Sequence, residues 1–255
     1  MYISAERLAL ANQAVRETFE QCSIVWQAIP HWDTGDPGQI SVPNGKYSLA
    51  GFLAVQQKQI PFTVTLAQAN APTPDLLLTE VIAVTKTLAG QVDSAVLPQL
   101  YTGAATTTST SGTTPPDLLA ALIDARADVE GAGYRAPSCL ITNTEGLKLL
   151  SQFYSGSSIL QQLLVAANIN ALHRTVPLNS GDTDLRLVLL GRRRRIPQGA
   201  APEASPGEEP VDLAVALPPS LEVNGPTASG QIQLTARIRY AKRITDATGL
   251  VALHP

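Results

Sequence analysis

Few residues in this sequence have the type and spacing that catalysis requires. The two cysteines, Cys22 and Cys139, each fall within an apolar pattern, where a thiol usually packs as a small hydrophobic side chain. The three histidines, His31, His173 and His254, are far apart, and none has a second ligand type at metal-binding spacing. The chemistry left open is a thiol nucleophile at Cys139 or an acid–base role for His173, as in a small soluble α/β enzyme.

Other catalytic signatures are weaker. Asp33 and Asp36 could act as paired carboxylates, but the glycines and prolines around them indicate a turn, where aspartate has a routine structural role. The sequence contains neither a glycine-rich phosphate loop nor the G-x-S-x-G turn that presents a nucleophilic serine. We therefore expect no active site, no metal and no cofactor.

The most conspicuous charged feature is a run of arginines: Arg192, Arg193, Arg194 and Arg195. Such a run can contact phosphates, or it can lie in a solvated loop and pair with the glutamates that follow it. No aromatic residue alternates with the arginines, so we favour the loop. In an assembly, the same run is a candidate contact between subunits.

The composition predicts a folded chain with an unusual surface. Of the 255 residues, 44% are hydrophobic and only 15% are charged, against roughly 25% charged residues in an average globular protein. Part of the surface is therefore expected to face something other than water. The net charge of -3 gives no overall basic character. No apolar run approaches a membrane span, and Glu6 and Arg7 stand where a signal peptide would be apolar, so we expect a cytosolic location.

The first third of the chain predicts a helix, an irregular tether and a hairpin. Ser4 is a plausible N-cap for an amphipathic helix that ends near Cys22 and packs on a distant element of this chain or of another copy. Residues 47–66 alternate in polarity around a polar tip at 56–59 and predict a two-stranded hairpin. Because an isolated hairpin is marginally stable in water, we expect it to lie on a folded body, either its own or that of a neighbour.

A long helix is predicted to follow. Thr73, Pro74 and Asp75 supply a cap, a proline at the first helical position and an acid in the first turn, and Pro98 is expected to end the helix. About 24 residues at 1.5 Å each give a rod of roughly 36 Å, which is long for a compact domain.

The remainder predicts a mixed α/β body. It contains a helix from Thr114, a buried strand at 138–142, a helix capped by Asn143, a helix at 159–172 and an apolar strand at 185–190. Strands return after the arginine run at 213–223. A long strand at 231–244 has one basic face, and a short strand occupies 250–253.

This order of elements resembles the capsid-subunit fold named after phage Hong Kong 97. The strand 138–142 with its helix start at Asn143 is similar to part of that fold's axial domain, and the basic strand 231–240 followed by 250–253 is similar to its usual C-terminus. The resemblance implies an α+β fold with an N-terminal arm, an extended hairpin loop, a long spine helix, and peripheral and axial domains. Divided in this way, the chain comprises the arm at 1–46, the hairpin loop at 47–71, the spine helix and part of the peripheral domain at 72–135, the axial domain at 136–217 and closing strands at 218–255.

The resemblance implies a structural function. The first interpretation is a tailed-phage major capsid protein that encloses double-stranded DNA in a virion assembled in the bacterial cytoplasm. The alternative is an encapsulin, a cytoplasmic shell that encloses a cargo enzyme and whose N-terminal helix binds cargo peptides. The implied partners are other copies in pentamers and hexamers, together with scaffolding and portal proteins and DNA, or a cargo protein, with no membrane.

Candidate intersubunit contacts follow from the hairpin and from the arginine run. On the hairpin they are Lys58 at the tip and the apolar residues Phe62, Val64 and Leu66. In the founding phage a hairpin lysine cross-links to a neighbour's asparagine; Lys58 is comparable, but no matching asparagine or assisting glutamate is found. We expect residues 47–66 to reach over an adjacent subunit and to lie outside the subunit core, so Phe62→Asp should weaken assembly without unfolding the subunit.

Overall fold

The structure, a computed structural model, describes residues 3–46, 50–154, 156–179, 185–192 and 209–254. In this part of the chain the α-helices are α1 Ala5–Cys22, α2 Ile24–Ala28, α3 Leu66–Ala69, α4 Asp75–Thr102, α5 Pro115–Gly131, α6 Thr144–Leu150 and α7 Leu160–Ala166. The strands are β1 His31–Asp33, β2 Ser41–Pro43, β3 Phe52–Ala54, β4 Gln56–Val64, β5 Thr106–Ser109, β6 Ala136–Thr142, β7 Phe153–Tyr154, β8 Ser157–Ser158, β9 Ile169–Arg174, β10 Leu187–Arg192, β11 Val211–Pro226, β12 Ile232–Ile244 and β13 Leu250–His254.

A four-stranded sheet forms one half of the subunit, with the strand order β1-β11-β12-β4. Strand β12 pairs antiparallel with both β11 and β4, and β1 runs parallel to β11. Helices α1 and α4 cover one face of this sheet, and their buried residues Val15, Leu77 and Val81 share a core with Leu234 of β12. The N-terminal helix therefore packs on distant elements of its own chain, one of the two possibilities that the sequence left open.

A five-stranded sheet with the order β5-β13-β10-β6-β9 forms the other half. Both of its faces are covered. Cys139 and Ile141 of β6 join the core around α4, whereas Leu140 joins a second core formed with α5 and α7. This alternation is the expected result of a strand that sends successive side chains to opposite faces of its sheet, and it explains why β6 is apolar on both sides.

The long helix α4 links the two halves, because its buried residues contribute to the cores of both sheets. It is longer than the sequence predicted: Pro98 lies within the helix, which continues to Thr102. Proline removes one backbone donor and crowds the carbonyl one turn earlier. That residue is Ser94, which is exposed, so its carbonyl can remain solvated and the helix is not forced to stop.

The predicted hairpin at 47–66 is wrong in its pairing. Strand β4 begins where the polar tip was expected, and it pairs with β12 along its length, from Gln56 opposite Tyr240 to Val64 opposite Ile232. The hairpin in the structure is instead β2 with β3, in which Val42 lies opposite Leu53. Residues 47–49 of the predicted first strand lie outside the described residues.

Two further predictions were wrong in detail. The predicted helix at 159–172 is a short helix, α7, followed by strand β9, so His173 lies on a strand rather than at a helix C-terminus. The predicted strands within 213–223 form one continuous strand, β11, whose pairing with β12 is interrupted by three irregularities in register.

Candidate functional site

Of the two residues proposed for enzymatic chemistry, Cys139 lies in the packed interior and His173 is half-buried on β9. Burial raises the pKa of the Cys139 thiol to about 11, although the Arg192 charge opposes the shift. Burial also lowers the pKa of His173, and the Arg192 charge adds to that effect. A nucleophilic thiol needs a lowered pKa and access to substrate, and Cys139 is fully buried, so this cluster is built as protein core.

The other polar candidates have structural contacts. Asp33 accepts a hydrogen bond from the Gly35 amide at 2.8 Å, and Asp36 accepts one from the Gly38 amide at 2.7 Å, as expected of turn aspartates. Within the described ranges, no group of three or more His, Cys, Asp or Glu side chains could hold a metal ion. In the same part of the chain, no helix is both long enough and apolar enough to cross a membrane.

Arg192 lies inside the subunit. It is 6% exposed, and its Nη2 donates a hydrogen bond to the Ala28 carbonyl at 3.3 Å. This contact joins the end of β10 to α2, which corrects the prediction that Arg192 belongs to a solvated loop and contacts a neighbouring subunit. The rest of the run, Arg193, Arg194 and Arg195, lies outside the described residues.

The hairpin candidates divide into inward and outward positions. Val64 is fully buried against α1 and α4, so it makes contacts within the subunit and not the predicted contact with a neighbour. Phe62 is partly buried against the same core, and its predicted contact with a neighbour stays a prediction. Leu66, at the start of α3, is 46% exposed. Lys58 lines a groove of about 710 Å³ with Gly90 and neighbouring residues of α4. Lys58 and Leu66 remain predicted intersubunit contacts.

Two apolar residues that the sequence analysis did not select are among the most exposed of the described residues. Ile40 is 76% exposed and Phe52 is 77% exposed, and both belong to the β2–β3 hairpin region. Ile40 accepts a hydrogen bond from the Val55 amide at 2.8 Å, which closes this end of the hairpin. The sequence signal that could have identified this surface was Phe52, which follows Gly51 in a segment predicted as strand. The incorrect strand pairing predicted for residues 47–66 did not show that Phe52 is exposed.

The β2–β3 hairpin is anchored by a buried ion pair. Arg243 of β12 contacts Asp212 of β11 through Nε–Oδ1 and Nη2–Oδ2 distances of 2.6 and 2.5 Å. The Trp32 ring lies 4.9 Å from the guanidinium carbon of Arg243, and its Nε1 donates to Asp212 at 3.2 Å. Arg243 Nη1 also donates to the Pro43 carbonyl at 3.2 Å. One side chain therefore joins β12, β11 and the hairpin.

The close approach at this anchor requires a glycine. Gly45 has φ +72°, and a Cβ built on it would lie 2.7 Å from Thr245 Cγ2 and 3.4 Å from Arg243 Nη1. The left-handed backbone and the crowding both disfavour any other residue. Beyond the anchor, Val42 is buried against Ala214 and Ala241 on the sheet, so the inner face of the hairpin is held while Ile40 and Phe52 face solvent.

Arg239 holds the tether that precedes the hairpin. Its Nη2 donates to the Gln39 carbonyl at 2.9 Å, and its Nη1 donates to the Pro37 carbonyl. Arg237, on the same face of β12, pairs with Glu222 at 2.6 Å. The basic face predicted for this strand is thus largely occupied by contacts within the subunit.

The whole chain is similar to solved structures of shell proteins. A virus-like particle from Pyrococcus furiosus matches with a TM-score of 0.70 and 14% identity over 98% of this chain and 100% of that one. The SrpI encapsulin of Synechococcus elongatus PCC 7942 matches with a TM-score of 0.60 and 14% identity over 92% and 88%. Mycobacterium phage Adephagia matches with a TM-score of 0.59 and 13% identity over 91% and 89%. No protein-family model and no curated protein matches the chain.

These matches confirm the fold that the order of elements predicted. The chain has the Hong Kong 97-type fold, with mixed helix and strand throughout. The similarity extends over nearly all of the chain, so the two sheets and the long helix are parts of one shared architecture.

Proposed function

We propose that this chain is the subunit of a self-assembling icosahedral protein shell. The observation that carries the proposal is the match to a virus-like particle over 98% of this chain and 100% of that chain, because the fold is shared along its whole length. The surface supports it: large apolar residues are exposed on a hairpin anchored to the body, and exposed apolar patches commonly mark interaction sites.

Among shells, we propose a tailed-phage major capsid protein that encloses double-stranded DNA in a virion. Phage proteins are among the structural neighbours, and the buried cluster around Cys139 is built as core rather than as an active site. Scaffolding and portal proteins are the further partners that this function implies.

An encapsulin is the second candidate, favoured by the similarity to the Synechococcus elongatus encapsulin and by an N-terminal helix docked on α4. Its contents would be a cargo enzyme instead of DNA. Nucleic acid recovered from intact shells after nuclease treatment supports the capsid. A co-purifying enzyme that carries a terminal targeting peptide supports the encapsulin.

Negative-stain microscopy of the purified protein tests the proposal. Closed particles of uniform diameter are the expected result, whereas small discrete oligomers under every assembly condition would contradict it. Cryo-electron microscopy of the particles then gives the diameter and the number of subunits. The alternative hypothesis, a small soluble α/β enzyme, predicts an activity that is lost in Cys139→Ala or His173→Ala. We expect both variants to assemble into shells.

A further inference from the structure

The β7–β8 hairpin carries an apolar projection and an apolar pocket on opposite sides. Phe153 is 75% exposed. Tyr154, the next residue, lines a cavity of about 370 Å³ between α5 and α7 with Leu119, Ile159 and Leu163. Successive residues of a strand point to opposite faces. Phe153 therefore points away from the pocket that Tyr154 borders, and it cannot fill the pocket of its own subunit.

The pocket suits an aromatic ring. An enclosed apolar cavity of roughly 150 Å³ is enough to bind benzene, and this pocket has room for a ring at about 370 Å³ while it stays open to solvent on one side, where a side chain from outside can enter. Ile159 and Leu163 are 5% and 2% exposed, so its floor is formed by fixed core residues. Gln162 adds a polar group at the margin.

The segment that carries both Phe153 and the α7 side of the pocket lacks charge, and the charge that contacts it from the α5 side, Arg126, is paired with Glu130 at 2.6 Å and donates to the Ala166 carbonyl at 2.8 Å. Residues 149–172 contain no Asp, Glu, Lys or Arg, although Val165 in this segment is 66% exposed. The buried centres of protein interfaces are depleted in charged residues and enriched in aromatic ones. An exposed phenylalanine within such a segment indicates a surface that another protein covers.

We infer that Phe153 of one subunit inserts into the α5–α7 pocket of a second copy. Because the projection and the pocket are different surfaces of one chain, the contact is heterologous, and repetition by a rotation closes a ring. The inference rests on the proposed function and assigns one of the contacts within the pentamers and hexamers of the shell.

The size of the contact fits a role within an assembly. A standard stable interface buries roughly 800 Å² on each partner, whereas a phenylalanine buries only about 150–250 Å². Phe153 and its surroundings are therefore too small to hold a dimer in isolation. The contact should form where other surfaces, such as the β2–β3 hairpin, already hold the copies together.

Site-specific disulfides test which surfaces meet. Ser158 lies opposite Phe153 in the β7–β8 pairing, so Ser158→Cys marks the projecting face while Phe153 is retained, and Gln162→Cys marks the pocket. Each is made in Cys22→Ser. Shells co-assembled from the two preparations should give a covalent dimer on mild oxidation, and each preparation alone should stay monomeric on a denaturing gel.

Several outcomes overturn the inference. Dimers in either preparation alone indicate a symmetric contact, and no dimer in co-assembled shells indicates that the two faces do not meet. A disulfide between Gln162→Cys and a different polypeptide identifies another occupant. Cross-linking in a ring-shaped oligomer that never closes into a shell supports this contact and contradicts the proposed shell, so the two failures are distinguishable.

Assembly of Phe153→Ser provides the second measurement. The critical concentration for shells should rise by about tenfold or more, the factor expected when a side chain of this size stays in water. Phe153→Leu, which keeps an apolar projection, should lie close to the parent. The thermal unfolding of the isolated subunit should not change, because Phe153 is exposed there. Normal assembly of Phe153→Ser at the parent's concentration overturns the inference and leaves the proposed shell intact.

Discussion

Asp93 is the residue that holds the junction between α1 and α2. This buried carboxylate of α4 accepts hydrogen bonds from the Ser23 hydroxyl at 2.7 Å, the Ile24 amide at 2.9 Å and the Val25 amide at 3.1 Å. It therefore caps the start of α2 from a different helix. Ser23 itself accepts a bond from the Trp26 amide at 3.2 Å, so the two side chains share the amides at the start of α2.

Replacement of Asp93 by alanine is expected to destabilise the subunit more than removal of the local cap. Asp93→Ala leaves buried donors without an acceptor and should lower the free energy of unfolding by about 2 kcal/mol or more. Ser23→Ala, the matched control, should cost about 1 kcal/mol. Urea unfolding monitored by tryptophan fluorescence measures both, and equal losses would contradict the capping role of Asp93.

Asp93 also predicts a pH dependence of stability. Burial raises its pKa above the ordinary value of 3.8, against the opposing effect of its three hydrogen bonds. Below pH 3.8 the group is protonated in both the folded and the unfolded chain, so pH has no effect through it. Above that value the unfolded chain loses the proton first, and the contribution of Asp93 to stability falls until the raised pKa is passed.

Asp93→Asn isolates this effect from other titrating groups. The difference in unfolding free energy, wild type minus Asp93→Asn, should be constant below pH 3.8 and should decline as the pH rises above it. Unfolding curves measured at a series of pH values on both proteins provide the difference. A difference that increases with pH would show that the hydrogen bonds outweigh burial and that the pKa is lowered.

The Arg243–Asp212 pair predicts a large effect of a single charge. Both side chains are 4% exposed, so Arg243→Ala leaves an uncompensated buried carboxylate and should cost about 3–5 kcal/mol. The control is Arg237→Ala on the same strand, whose pair with Glu222 is partly exposed at 31% and 41% and should contribute about 0.2–1 kcal/mol. Chemical unfolding measures both, and similar losses would show that the buried pair has no special role.

At the scale of elements, substitutions at two phenylalanines, Phe62 and Phe52, distinguish residues that stabilise the subunit from residues that are needed for its assembly. Phe62 of β4 is packed between the cores on both parts of α4, so Phe62→Asp should cost about 3 kcal/mol or more and should unfold or markedly destabilise the subunit. This reverses the expectation drawn from the sequence, in which β4 lay outside the core.

Phe52→Asp is the matched variant, because Phe52 is 77% exposed on the β2–β3 hairpin. Its thermal unfolding should equal that of the parent, while shell formation should need a higher protein concentration. Circular dichroism of the subunit and sedimentation of the shells measure the two properties. Unfolding of Phe52→Asp, or its assembly at the parent's concentration, would exclude this hairpin as an intersubunit element.

The elements that sequence predicted best are those whose signals are local. The Ser4 cap, the buried strand before Asn143 and the alternating strand β12 each lie where the pattern indicated. The long helix α4 was also predicted, but its N-cap is Pro74 rather than Thr73 and it continues past Pro98. Strand pairing is non-local. The alternation of residues 56–64 predicted a strand only from Ile60 onward and could not indicate that its partner is β12 instead of the preceding segment. The apolar segment 159–172 contains helix α7 followed by the start of strand β9, and apolar residues alone do not distinguish a short helix from a strand.

At the scale of the whole molecule, the order of elements predicted the fold, but it could not predict the contacts that give the shell its function. A fold depends on which face of each helix and strand is buried in the core, and the spacing of apolar residues in the sequence indicates that face. Contacts between copies depend on which apolar residues remain exposed after folding. Ile40, Phe52 and Phe153 became visible as candidates only once the sheets and cores were in place.

The exposed apolar residues and the low charge together predict how assembly responds to conditions. Only 15% of residues are charged and the net charge is -3, so ion pairs between copies should contribute little. Raising NaCl from about 0.1 M to about 1 M shortens the Debye length from about 10 Å to about 3 Å, and we expect this change to leave the critical concentration for shells equal or lower.

Burial of apolar surface weakens on cooling and strengthens in sulfate. The critical concentration should therefore fall on warming from near freezing to room temperature, and it should fall again with added ammonium sulfate. Light scattering with measurement of the free subunit gives these concentrations, and Phe52→Asp should show a smaller response to temperature because it has lost part of the apolar contact. Shells that dissolve in NaCl, or that form more readily in the cold, would show that charged and polar contacts dominate the interfaces instead.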